Sequence, residues 1–368
     1  MPLLSLAELD WVKLQPLLLH HGYKLRPRYQ PNWKPSWKRP WNFYGDRFDC
    51  PDAIVLRRPN LIDAIRMKDG EKVVIKRVIL EYDNVPILQH LNSPKMRQDP
   101  RNNAVPLLDV IPLPDSVEDD SKQSVLLVMP MLFPLLSSHL PFRHAKEVVD
   151  ALDQLIQGIQ FLHEHNIAHR DACSLNFMMD LTDVIPSSFH HSFDFYQPDG
   201  KTRIDFRDRC SVAPVKYYII DYETSDYFPP NTLCVGYYGQ EKDVPELSNT
   251  IPYDPFKLDI YQIGTVVQMF IEEYEGLDFL EPLGEAMRSH DPGMRLTAAK
   301  SLEKLQHIVS LLEGTDLSRE IWLRDSTPEL RVIQTVPPVV KVKTSFWNHF
   351  VCFSRFRPSI AKAALSRL

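Results

Sequence analysis

Glycine is scarce in this chain of 368 residues: there are only 12, about half the usual share of ~7%. No two are spaced as G-x-G, and the closest pair is Gly236 and Gly239. Dinucleotide fingerprints and Walker A loops need closely spaced glycines so that backbone N–H groups can approach phosphate oxygens, and both are therefore excluded. Any nucleotide has to be held without a standard glycine cradle. Cysteine is sparse too: five residues, at 50, 173, 210, 234 and 352, with no C-x-x-C pair. This excludes a disulfide framework and the common zinc sites, and points to a reducing compartment. Long apolar runs are missing. The most apolar stretch, 125–136, is broken by Pro130 and Pro134 and is too short to cross a bilayer. Glu8 and Asp10 stand where a leader would carry basic residues, so a cytoplasmic location without membrane partners is expected. A net charge of −6 offers no general attraction to nucleic acid or anionic lipid.

What the chain does have is an ordinary globular balance, 44% apolar and 24% charged residues, with 31 prolines. Its length suits two domains or one bilobal fold. Four segments are expected: an extension over 1–48, a β-rich part over 49–130, a helical part over 131–330 with an insertion at 182–213, and a tail over 331–368. In the extension, Leu14, Leu17, Leu18 and Leu19 suggest a short amphipathic helix, after which prolines, basic residues and aromatics interleave. Trp33, Trp37 and Trp41 recur every four residues, but Pro35 and Pro40 oppose a helix, so an extended strap packed through its tryptophans is expected. Such interleaving can also bind single strands of nucleic acid, a reading the acidic chain disfavours.

Further along, Asp69-Gly70 signals a turn before VVIKRVIL (73–80), a β-branched strand. An acidic loop at 115–122 precedes VLLVM (125–129), which reads as a fully buried strand. Val148, Leu152, Leu155, Ile156, Ile159 and Leu162 follow the helical period and predict one long helix with a buried face. Strands first and helices after give an α+β fold, a small β-rich lobe followed by a larger helical one.

Directly after that helix stands His169-Arg170-Asp171, with Asn176 five residues beyond the aspartate. KYYIID (216–221) is a strand ending on Asp221, VVIK (73–76) carries Lys76, and VPE (244–246), LDIYQIG (258–264) and DPGMR (291–295) follow downstream. Taken in order, these strings resemble the catalytic motifs of the protein kinases: H-R-D-x-x-x-x-N, D-F-G, V-A-I-K, A-P-E, the D-x-W-S-x-G helix and D-P-x-x-R. The resemblance covers roughly residues 50–310. GYKLRPRY (22–29), PSW (35–37), DPRN (99–102), PLLDV (106–110), VPELS (244–248), PYDPFKLDIY (252–261) and FLEPL (279–283) narrow it to fungal protein-kinase-like proteins.

The resemblance implies a bilobal kinase fold and an ATP- and Mg²⁺-dependent transfer to a protein hydroxyl, Mn²⁺ being an alternative ion and serine/threonine the default acceptor. Lys76 would hold the α- and β-phosphates, Asp221 and Asn176 would chelate the metal, and Asp171 would serve as base. Met129 falls at the gatekeeper position; the Pro130 carbonyl and the Leu132 N–H would meet the adenine. Glu246 and Arg295 would pair to anchor the activation segment, and Asp259 would brace the catalytic loop behind His169 and Arg170. Arg170 further implies phosphorylation at Thr224, Ser225 or Thr232.

Four departures bear on activity, and three of them, the lost glycine loop, Asn84 and Glu223, support the alternative of a non-enzymatic pseudokinase. Between Asp52 and Lys76 the only glycine is Gly70, so the phosphate-covering loop is missing. Asn84 fills the slot of the helix C glutamate, with Glu81 or Asp83 as substitutes. D-F-G reads Asp221-Tyr222-Glu223, and Cys173 and Leu175 stand where kinases carry a basic residue. A small-molecule phosphotransferase is a third reading, opposed by the VPE segment and Arg295. The insertion carries His190-His191, a pair without a third ligand in motif spacing, so no metal is expected there.

Overall fold

The computed structural model describes residues 4–38, 50–114, 123–312, 317–328 and 331. Trp41, the acidic loop at 115–122 and the basic tail from 332 onward lie outside the described residues. Five strands, β1 (Tyr23–Leu25), β2 (Leu61–Arg66), β3 (Lys72–Ile79), β4 (Asp109–Pro112) and β5 (Ser124–Pro130), form an antiparallel sheet in the order β1-β2-β3-β5-β4. Alternation along the strands sorts their side chains onto two faces. Ile62, Ala64, Val73, Ile75, Leu126 and Val128 point outward, where α1 (Leu6–His20) covers them with Trp11, Leu14 and Leu18. Ser5 and Glu8 start α1 with a reciprocal capping box. The inner face carries Val78, Val125 and Leu127 and faces the main core, together with α2 (Val85–Leu91).

Over its described residues the extension holds the expected helix, but the segment after that helix is not a plain extended strap. It supplies α1, the edge strand β1, and two single helical turns at Pro27–Tyr29 and Ser36–Lys38. Its aromatic and basic side chains are used on one another: Trp33 packs edge-to-face on Trp37 with centroids 5.7 Å apart, and the Arg28 guanidinium lies 5.1 Å from the Trp33 ring. Asp52 ties the segment down by accepting from Trp33 Nε1 at 2.9 Å and from the Ser36 N–H at 3.0 Å. Because β1 lies at 23–25, residues 26–60 join it to β2, a far longer link than a hairpin loop.

After β5 the regular structure of the described residues is mainly helical. α3 (Ala145–Glu164) contains the predicted helix and runs through the core, its buried face including Val148, Leu152, Leu155, Ile156 and Ile159. A three-stranded sheet of β6 (Phe133–Pro134), β8 (Phe177–Met179) and β9 (Tyr217–Ile219) adjoins it, and β7 (Ile167–Ala168) precedes His169-Arg170-Asp171. The insertion between β8 and β9 includes α4 (Arg209–Val212). Next come β10 (Asp226–Tyr227), paired with β7, and the hairpin of β11 (Cys234–Gly236) and β12 (Ser248–Tyr253). α5 (Pro255–Glu273), capped by Asp254, is followed by α6 (Glu281–Met287) and α7 (Ala298–Ser310). The arrangement is the α+β, kinase-like one expected: a curled five-stranded sheet, then a larger helical part.

Candidate active site

α5 buries Asp259 completely, and this carboxylate organises the loop that carries His169, Arg170 and Asp171. Its Oδ2 accepts from the His169 N–H at 2.9 Å, its Oδ1 from the Arg170 N–H at 2.7 Å, and His163 Nε2, near the end of α3, donates to Oδ2 at 2.9 Å. Gln262 lies one turn further along α5. It accepts from the Ala172 N–H at 2.8 Å and donates to the Arg170 carbonyl at 3.3 Å. Sequence reasoning missed Gln262, although its i+3 spacing from Asp259 places both on one helix face. The clamp holds Arg170 at a φ of +61°, and Asp221 sits at +64°. Left-handed backbone is costly for such residues and persists where the surroundings over-determine it.

β3 projects Lys76 from the inner face toward Asp221. Lys76 Nζ lies 2.8 Å from Asp221 Oδ1, 3.4 Å from Glu223 Oε2 and 3.5 Å from Asp83 Oδ2. Burial opposes the charge on Lys76, but Asp221 and Asp83 hold its pKa above the ordinary lysine value. Burial, Glu223 and Asp221 push the Asp83 carboxyl up against the pull of Lys76. Of the two substitutes for the helix C glutamate, Asp83 is thus the one that reaches the lysine. Asn84 precedes α2 but does not cap it; its Nδ2 donates instead to the Ser225 carbonyl at 3.0 Å, tying the start of α2 to the segment after Asp221.

The Ile220 N–H donates to the Asn176 carbonyl at 2.9 Å, which brings Asp221 beside the 169–176 loop. Asn176 Nδ2 donates to Asp171 Oδ2 at 2.8 Å and to its carbonyl at 2.9 Å. Asp171 is only 7% exposed, and its Oδ1 accepts from the Gln240 N–H at 2.7 Å. Gly239 makes that approach possible. At a φ of +78°, a Cβ there would meet the Arg170 carbonyl at 2.6 Å and Asp171 Oδ1 at 2.8 Å. Beside it, Cys173 is buried, and burial together with Asp171 pushes its thiol up to about 12, which makes it an inert packing residue.

Arg170 does not wait for a phosphate. Its guanidinium lies 3.9 Å from the Tyr238 ring and 5.2 Å from Phe228, and its Nε donates to the Thr224 carbonyl at 2.6 Å. The Thr224 and Ser225 hydroxyls both donate to the His169 carbonyl, and Ser225 is buried, so these two expected acceptors face inward; Thr232 is exposed. Arg295 grips Glu246 through both guanidinium nitrogens, Nη1 to Oε1 and Nη2 to Oε2 at 3.0 Å, and donates to the Lys257 carbonyl as well. Met129 pairs with Val74 across β5 and β3, on the face that carries Lys76; Pro130 pairs with Val73, and Leu132 follows, half-buried.

Tyr222 packs edge-to-face on His169 with centroids 5.1 Å apart. Its hydroxyl is buried and has no hydrogen-bond partner among the described residues, and desolvation holds its pKa well above the usual phenol value. An orphaned buried hydroxyl costs about 1–3 kcal/mol. Tyr222→Phe is therefore expected to raise stability by about 1 kcal/mol in denaturant unfolding, and a destabilised variant would refute this account of the ring.

The insertion reaches back to the sheet. Burial and the Arg26 charge push His190 down to about 4, with Asp63, Lys72 and His191 also facing it; His191 is lowered as well. A histidine kept neutral in the fold but free to protonate when unfolded, near pH 6.5, withdraws stability as pH falls between those values. Asp63, whose pKa is lowered mainly by Arg26 against its burial, stays charged through that window. Going from pH 7 to pH 5 is expected to cost about 2 kcal/mol, read as a falling melting temperature. His190→Gln should remove most of that slope; an unchanged slope would assign it elsewhere.

No protein-family model matches the chain. It is 25% identical to a serine/threonine-protein kinase of Candida glabrata over 193 residues, 48% of this chain and 23% of that protein. It is 26% identical over 199 residues to serine/threonine-protein kinases of Drosophila melanogaster and Toxoplasma gondii, covering 49% and 51% of this chain and 34% and 32% of those proteins. The chain thus spans about a third or less of the length of the curated relatives it matches.

Proposed function

We propose that this protein-kinase-like chain transfers the γ-phosphoryl group of ATP to a serine or threonine hydroxyl of a protein, with Asp171 as base. The observation that carries the reading is the gathering of four side chains: Lys76 pairs with Asp221, the neighbouring Ile220 N–H bonds the Asn176 carbonyl, and Asn176 bonds Asp171. Phosphoryl transfer asks a protein for positioning and charge neutralisation more than for covalent chemistry. The Asp221 carboxylate and the Asn176 amide oxygen are hard donors, which suits Mg²⁺ or Mn²⁺; bound there, such an ion would supply charge neutralisation on the phosphates. Lys76, kept charged by Asp221 and Asp83, would hold the same phosphates. Asp171 would take the acceptor's proton at Oδ1, on the lone pair left beside the Gln240 N–H that is bonded there.

A second reading has its own support. Both oxygens of Asp171 are engaged and Glu223 competes for Lys76, as in a module that uses the fold for interaction without transfer. One assay separates the two: label transfer from γ-labelled ATP to the chain itself and to a generic basic protein, with Mg²⁺ or Mn²⁺, beside Asp171→Ala. Under the enzyme reading the variant is expected to lose roughly 10²–10⁴-fold in rate. Equal transfer by the two proteins would sink it.

A further inference from the structure

Cross-strand partners share a sheet face, so the register places Leu61, Asp63 and Ile65 of β2 with Lys76, Val74 and Lys72 of β3, and Leu127 and Met129 of β5 beside them. This is the inner face. If phosphates sit at Lys76 and a base meets the backbone at Pro130 to Leu132, the base has to lie beneath Val74 and Asp63. A nucleotide base there needs an apolar ceiling and open space.

The chain places its own groups in that position. Asp63, a buried carboxylate, stands directly opposite Val74 and pairs with Arg26 Nε at 2.9 Å, a charge contact rather than an aligned hydrogen bond. Arg26 Nη1 lies 3.3 Å from His190 Nε2. Lys72 Nζ donates to the Phe189 carbonyl at 3.0 Å, and the Phe189 ring packs edge-to-face on Phe133, just beyond Leu132, with centroids 5.0 Å apart. Phe189, His190 and Ser192 are all buried, although they belong to an insertion. Gly200, further along that insertion, would bring a Cβ within 2.6 Å of Ile54, so the insertion packs closely on the segment between β1 and β2.

We infer that residues 189–192 are a built-in occupant of the base end of the cleft, held by Lys72 and by Arg26 with Asp63, and that a nucleotide binds only when this segment withdraws. The inference rests on the phosphotransfer reading for where a base would lie. The phosphate end, from Lys76 to Asp171, is left in place. The cleft is thus assembled at one end and closed at the other, and whatever draws the insertion away from β3 would admit the nucleotide.

Two probes separate the ends. Adenosine, which has no phosphates, reports on the base end; Mg²⁺-tripolyphosphate, which has no base, reports on the phosphate end. Binding of each is measured calorimetrically to the full chain, to Phe189→Ala/His190→Ala, and to Lys72→Ala, which keeps the Phe189–Phe133 pair and removes only the tether. Adenosine is expected to bind both variants at least tenfold more tightly than the parent, with tripolyphosphate affinity unchanged. Adenosine binding the parent as tightly as the variants, or failing to gain on either folded variant, overturns the inference. Tripolyphosphate that binds the parent no better than Lys76→Ala overturns the phosphotransfer reading instead, and leaves the adenosine comparison standing on its own.

Discussion

Arg28→Met is expected to lower folding stability by roughly 3–5 kcal/mol. Arg28 and Glu8 are 1% and 2% exposed, and their pair is contained entirely within the extension. Glu8 Oε1 accepts from Arg28 Nε at 2.6 Å, from the Tyr29 hydroxyl at 3.4 Å and from the Leu56 N–H at 3.3 Å. Its Oε2 accepts from the Ser5 N–H at 2.9 Å and from Arg28 Nη2 at 3.2 Å. Burial works against the carboxylate, but Arg28 and the Ser5 N–H prevail and hold its pKa below the ordinary glutamate value. Removing the guanidinium strands a buried negative charge. Removing both partners leaves no unpaired charge, only the neutral Ser5 and Leu56 N–H groups, the Tyr29 hydroxyl and the Asp52 carbonyl short of these bonds, so Glu8→Met/Arg28→Met should regain part of the loss. Denaturant unfolding of the two single variants and the double gives the coupling directly. Additive losses would show that the pair is not a unit.

The second large effect is expected at Asp259, which no substrate would touch. Asp259→Ala leaves the His169 and Arg170 N–H groups buried without an acceptor and releases His163. Each orphaned donor costs about 1–3 kcal/mol, so a loss of about 3 kcal/mol is expected. The positive φ of Arg170 then loses what enforces it, and Asp171 moves off its bonds with Asn176 and Gln240. Under the phosphotransfer reading, transfer should fall at least 100-fold, in the range that misplacement of reacting groups costs. Asp259→Asn, which keeps one acceptor oxygen, should fall between parent and alanine in both stability and rate. A rate equal to the parent's in a folded Asp259→Ala protein would remove the carboxylate from the positioning of Asp171.

Much of this was legible in the residues. β3, β5 and α3 announce themselves through strong local patterns, an uninterrupted apolar run or a sustained helical period, and the structure places them within a few residues of the expected ends. The chemistry-bearing side chains were legible because motif spacing survives even where individual residues diverge. β1 was not. It has three residues, follows a helix that ends on two histidines and precedes Arg26-Pro27, and it becomes a strand only by pairing with Ala64, Ile65 and Arg66 some forty positions later. Asp83 and Glu81 were indistinguishable in sequence because the turn after β3 decides which one points at Lys76. The contacts of Phe189 and His190 depend on how an insertion folds back on the sheet, which has no local signal at all.

The placement of β1 also says where the chain can be cut. Covering the outer sheet face with Trp11, Leu14 and Leu18, and its β2 edge with Tyr23 and Leu25, makes the first thirty or so residues part of the smallest piece able to fold. A fragment trimmed to the kinase-like motifs alone, starting near residue 50, would present Ile62, Ala64, Val73, Ile75, Leu126 and Val128 to water beside an unpaired strand edge. Such a surface recruits further copies of itself. Insolubility of that fragment would report a missing lid on the sheet, and would carry no information about catalysis.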